Sequence, residues 1–165
     1  MLTLMARLVS IVILRLGPQD LPAGNSTLVA CIALYAIVTG ISLATGESPE
    51  NPVAILLLVV ALPLVMCWIV LALTRKSARW LQTVSALFGT SALLSMLNLP
   101  FSLAAGDEPS ALAALILVTT FFWSFAVDGH IWRHALEVGF STGLALAVIL
   151  FAASLFIIQS LAGPL

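Results

Sequence analysis

Five stretches of this chain, 27–45, 53–74, 80–104, 110–127 and 138–161, are overwhelmingly apolar and contain no Asp, Glu, Lys, Arg or His. On a helix rising about 1.5 Å per residue, each is long enough to cross a hydrocarbon layer about 30 Å thick, although 110–127 only barely. Water offers no place for such surfaces. Only 8% of the residues are charged, against about a quarter in an ordinary soluble domain, and the mean hydropathy is +1.20. A chain this poor in charge would expose more apolar surface than a soluble monomer tolerates. The expected fold is all-α, an integral membrane bundle of five transmembrane helices in a lipid bilayer. The net charge of -1 leaves no basic patch to hold nucleic acid.

The first 26 residues read differently from the rest. Thr3, Arg7 and Ser10 make a polar stripe at helical spacing, and Leu4, Met5, Leu8, Val12 and Ile13 cover much of the remaining surface. That pattern describes a short amphipathic helix lying in the membrane interface, ended by Gly17, Pro18 and Pro22. It does not read as a cleaved signal, because Arg15 interrupts the apolar run Leu8 to Leu14 and no small-x-small site precedes Asp20. The chain therefore divides into an N-terminal interfacial segment, 1–26, and a membrane domain, 27–165.

Orientation follows from the turns. GESPENP carries Glu47 and Glu50, AGDEP carries Asp107 and Glu108, and neither holds a basic residue. All six basic residues (Arg7, Arg15, Arg75, Lys76, Arg79, Arg133) fall on the opposite side. The positive-inside rule makes that side cytoplasmic and places the C-terminal AGPL outside. Trp68, Trp80, Trp123 and Trp132 lie within or near the same boundary, where indole rings prefer to sit.

Small residues recur every four positions at Ala36, Gly40 and Ala44 on the first span and at Gly139, Gly143 and Ala147 on the fifth. Such faces let two helix backbones approach closely. The expectation is that these two spans pack on each other inside the bundle; a homo-oligomer face is the sharper alternative. Pro63 and Pro100 should kink the second and third spans. Asn98 is the best candidate for a polar contact between helices. Cys31 and Cys67 sit in apolar runs and read as small buried hydrophobes. The second and third spans, and the fourth and fifth, each form a hairpin after an acidic turn, a faint sign of internal duplication.

One constellation could carry chemistry. His130, His134 and Glu137 stand at i, i+4 and i+7 within DGHIWRHALE, with Asp128 upstream. Two imidazoles and a carboxylate can ligate zinc or iron, but metal-dependent membrane oxidases use more histidines, and HExxH is absent. The reading adopted is an amphipathic extension of the fifth helix that binds no metal. In it Ile131, Trp132, Ala135 and Val138 face lipid, Arg133 pairs with Glu137, and the histidines face water, so their removal should change stability little. No nucleotide-binding or nucleophile-elbow motif occurs. Spans without an ionisable group also argue against a proton- or ion-coupled pump.

Five spans, a cytoplasmic N-terminal segment and a short external C-terminus resemble the layout of the Yip1-like membrane proteins, small bacterial members included. The short loops, without appended domains, have a bacterial look, and the expected location is the inner membrane. The trafficking role of the eukaryotic members is not carried over, because the N-terminal segment is much shorter here. Function is expected to be non-enzymatic and cofactor-free: an interaction or assembly protein that meets a second copy or another membrane protein. The alternative is a facilitator or channel subunit for an uncharged or lipid-like solute, and a metal-dependent enzyme using His130, His134 and Glu137 comes third.

Overall fold

The computed structural model describes residues 2–45, 51–105 and 110–162. Among them are six helices and no strand: α1 (Leu2–Val12), α2 (Asn25–Thr45), α3 (Pro52–Leu73), α4 (Trp80–Ala105), α5 (Ala111–Leu136) and α6 (Phe140–Ala162). Single 3-10 turns at Pro18–Asp20 and Ser77–Arg79 precede α2 and α4. The last five helices are long and apolar enough to span a membrane. In hydrocarbon every backbone polar group must be paired within its own segment, so apolar runs of this length have no alternative to the helix. Glu47, Glu50, Asp107 and Glu108 of the acidic turns, and the C-terminal residues 163–165, lie outside the described residues.

Local chemistry sets the helix ends. Ser110 caps α5 by accepting from the Ala113 amide at 3.2 Å, and Pro52 occupies the first turn of α3, where no amide donor is required. Three helices finish on a non-glycine residue in the left-handed region: Leu14 (φ 61°) beyond α1, Arg75 (φ 59°) beyond α3 and Glu137 (φ 56°) after α5. That conformation costs about 1 kcal/mol for a residue with a Cβ, so each of these ends is held by its surroundings.

α4 is the central helix, touching α1, α2, α3 and α5, while α6 lies on α5 and α3. It is also the least apolar of the five spans, and α3 the most. The physical reason is that a helix ringed by lipid must be apolar on every side, whereas one enclosed by protein can carry hydroxyls. Buried Thr83, Ser85 and Thr90 each donate back to a carbonyl of the preceding turn, at 2.9, 2.7 and 2.8 Å.

Three expectations are corrected. α5 does not stop at 127; it runs on to Leu136, and the connection to α6 is only the turn 137–139. DGHIWRHALE is therefore chiefly the end of the fourth spanning helix rather than an extension of the fifth. Charge marks where lipid contact ends, but nothing in 128–136 ends the helix, and its inner face packs against protein. Second, α1 does more than lie on a surface. Leu8 and Ile11 are fully buried, and Leu8 fills a notch at Gly89, where a Cβ would lie 2.5 Å from it. Trp123 Nε1 donates to the Val12 carbonyl at 2.9 Å and so holds the end of α1. Third, the main partner of α6 is α5, and that of α2 is α4. The expected pairing of the first and fifth spans is replaced by these two.

Candidate functional site

The segments bearing the six basic residues meet at one end of the bundle. Lys76 Nζ donates to the Leu136 carbonyl at 2.7 Å and to Glu137 at 2.5 Å. Arg79 reaches the His134 and Ala135 carbonyls, each at 3.1 Å, and the other Glu137 oxygen at 2.5 Å. The two cations thus close the last carbonyls of α5, which have no helical donor, and clamp the carboxylate beyond them. Lys76 first, and Arg79 with it, lower the Glu137 carboxyl from 4.5 to about 2. Glu137 consequently pairs across the bundle with the α3–α4 turn, and not with Arg133 on its own helix.

The histidines separate into different roles. His130 is 5% exposed and donates from Nε2 to the Leu16 carbonyl at 2.9 Å, tying the segment after α1 to α5. His134 is less buried and stands edge-on to it, with ring centroids 4.6 Å apart. Among the described residues no three His, Cys, Asp or Glu side chains are grouped to hold a metal ion. Ile131, Trp132 and Ala135, expected to face lipid, are all buried within the bundle. The reason is again the length of α5: its last turns are covered by α4, α6 and the connection after α1.

Of the small residues, Gly143 and Ala147 are buried, whereas Gly139 is exposed. A Cβ at Gly143 would run into the Gly129 carbonyl and the Arg133 amide of α5. Ala36 and Gly40 are half-buried and Ala44 is exposed, and a Cβ at Gly40 would meet nothing within 4 Å.

A cavity lies deeper in the bundle, with a volume of about 330 Å³. α3 forms one wall through Val59, Leu62, Pro63, Met66 and Cys67, and the other four spanning helices form the rest. Pro63 has no amide hydrogen, so it deprives the Val59 carbonyl of its helical donor on this wall. α3 crosses to α6 through a Ser154 hydroxyl donating to Met66 Sδ at 3.3 Å. The lining is apolar and aromatic: Phe88, Trp132 and Phe151 share it with Tyr35, whose ring stands edge-on to Phe88 at 5.2 Å.

Asp128 is in this wall. It precedes the end of α5 at Leu136 by more than two turns, about 12 Å along the axis. The expectation of spans without an ionisable group is therefore corrected. Tyr35 is within electrostatic reach of Asp128, but among the described residues no hydrogen bond or ion pair engages the carboxylate. Lys76 and Arg79 are both committed to Glu137. Sequence reasoning placed Asp128 in a cytoplasmic turn because it took the first charged residue as the helix boundary. The missed signal was the spacing Asp128, Ile131, Trp132, Ala135, a helical apolar face that continues past the charge and past Gly129, with no Pro in it, as far as Gly139. Compared with protein-family models, curated proteins and solved structures, the chain matches none.

Proposed function

We propose that this multi-pass membrane protein holds a lipid-like solute within its bundle, as a non-enzymatic binding protein or facilitator. The observation that carries the reading is the cavity of about 330 Å³ between α3 and the other four spans, lined chiefly by apolar and aromatic side chains. Cavities of this size and character suit small amphiphilic ligands. α3 is the wall best suited to move, because its contacts with α2, α4 and α6 are sparser than those between α5 and α6 or between α2 and α4. Purification in mild detergent, followed by extraction and mass spectrometry of small molecules, tests this. The parent should retain a lipid-like compound that Ala147→Phe and Ser154→Leu, which fill the cavity, release. Equal retention by the parent and by a folded variant would defeat the reading.

A second reading, assembly with another membrane helix, is supported by the α2 face of Ala36, Gly40 and Ala44, where Gly40 has open space beside it. We place the basic end in the cytoplasm on the charge asymmetry of the turns, and the protein in a bacterial inner membrane. That location, and a kinship with the Yip1-like proteins, rest on the five-span layout and the short connections.

A further inference from the structure

We propose that the cavity binds a lipophilic amine in its protonated form, with the ammonium seated against Asp128 and the apolar body among Tyr35, Phe88, Trp132 and Phe151. This rests on the preceding reading of the cavity as a solute site and specifies the chemistry of the solute.

The first support is the imbalance of charge. An ionised carboxylate withdrawn from water is costly unless it is paired or well hydrogen-bonded. Asp128 opens into the cavity, and among the described residues neither a cation nor a donor engages it. Ionisable side chains inside spanning segments are rare and serve function far more often than packing. The nearest elements have spent their cations elsewhere: Lys76 and Arg79 on Glu137, and Arg7 on the Asp20 carbonyl at 2.6 Å. Arg133, five positions along α5, is exposed on the surface. A cationic ligand head would supply the missing partner.

The second support is the rest of the wall. Four aromatic rings line one cavity with the carboxylate, and the faces of aromatic rings attract an ammonium as well as an apolar body. An anionic lipid would meet repulsion at Asp128 and find no basic group in the lining. A neutral solute could fill the volume, yet would leave the carboxylate unpaired. Phe151, 43% exposed, stands at the rim and offers a way in from the side.

The test uses full-length protein in nanodiscs of zwitterionic lipid, titrated calorimetrically with phenethylammonium and separately with phenethyl alcohol, against empty nanodiscs. The two probes share a body and differ in the charged head. Parent protein should bind the ammonium at least tenfold more tightly than the alcohol. Asp128→Asn keeps the shape and removes a costly charge, so it should fold; it should abolish that preference, the two probes then binding within about twofold of each other. Asp128→Glu should restore part of the preference. Equal binding of the two probes by the parent, with no change in Asp128→Asn, would overturn the amine assignment while leaving the solute reading intact. Absence of binding by either probe would overturn it too, and the retained-compound measurement then judges the broader reading separately.

Discussion

Gly129 on α5 and Gly143 on α6 face each other where the two helices cross. A Cβ on Gly129 would lie 2.9 Å from the Leu144 Cα, and one on Gly143 would lie 2.8 Å from the Arg133 amide nitrogen. Both obstacles are backbone, which cannot rotate aside. Gly143→Ala should therefore separate the helices and cost about 2 kcal/mol, and Gly143→Leu more. Gly40→Ala, introduced into open space, should stay within about 0.5 kcal/mol of the parent. Thermal unfolding in detergent measures both, and equal stability of Gly143→Ala and Gly40→Ala would refute the crossing.

The Glu137 clamp should be visible as a pH effect. Its carboxyl titrates at about 2 when folded against 4.5 ordinarily, so the unfolded chain takes up the proton first as the pH falls. The stabilisation from pairing with Lys76 and Arg79 is complete above about pH 4.5 and fades on descent to about 2. Glu137→Gln should remove that slope within this window. The carboxylate is well exposed, so added salt should shrink the difference between the two proteins. Parallel pH profiles for parent and variant would show that the clamp does not act in solution.

Leu8 measures whether α1 belongs to the folded core. Leu8→Ala should cost about 3 kcal/mol, the usual loss for a fully buried leucine, and expose residues 2–21 to proteolysis and hydrogen exchange. Gly89→Leu should expel Leu8 and give the same local exposure. A helix lying free on the bilayer would leave the bundle's stability unchanged in Leu8→Ala.

His130 should prove structural. Loss of its bond to the Leu16 carbonyl in His130→Ala should destabilise by about 2 kcal/mol, whereas His134→Ala, at a less buried position, should change less. The sequence had suggested little effect from either. Thermal unfolding separates the two, and elemental analysis of protein made without a metal-affinity tag checks for metal in the same samples.

Topology can be read with reporter fusions. Insertions at Ser77 and Gly139 should report the cytoplasm and one after Leu165 the outside. A cytoplasmic report from the C-terminal fusion would reverse the orientation given by the basic residues.

How much of this was legible beforehand depended on the range of the physics involved. Five helical spans were readable because each apolar run has only one way to satisfy its backbone in lipid, a property internal to the run. The basic end was readable as well, since the segments carrying Arg7, Arg75, Lys76, Arg79 and Arg133 meet in the fold. The path of α5 through Asp128 and His130 had only a faint local signal in its apolar face, which the charges outweighed, because a charged residue signals solvent only where no neighbouring helix covers it. Likewise, the small-residue spacing showed that Gly143 and Gly40 could each admit a close partner. Only the packing of α6 on α5 and of α2 on α4 decided that Gly143 has one within the chain and that Gly40 does not. Asp128 facing aromatic rings from α2, α4 and α6 is a tertiary fact: no local pattern fixes which way a helix turns about its axis, and that rotation placed a carboxylate in the cavity wall.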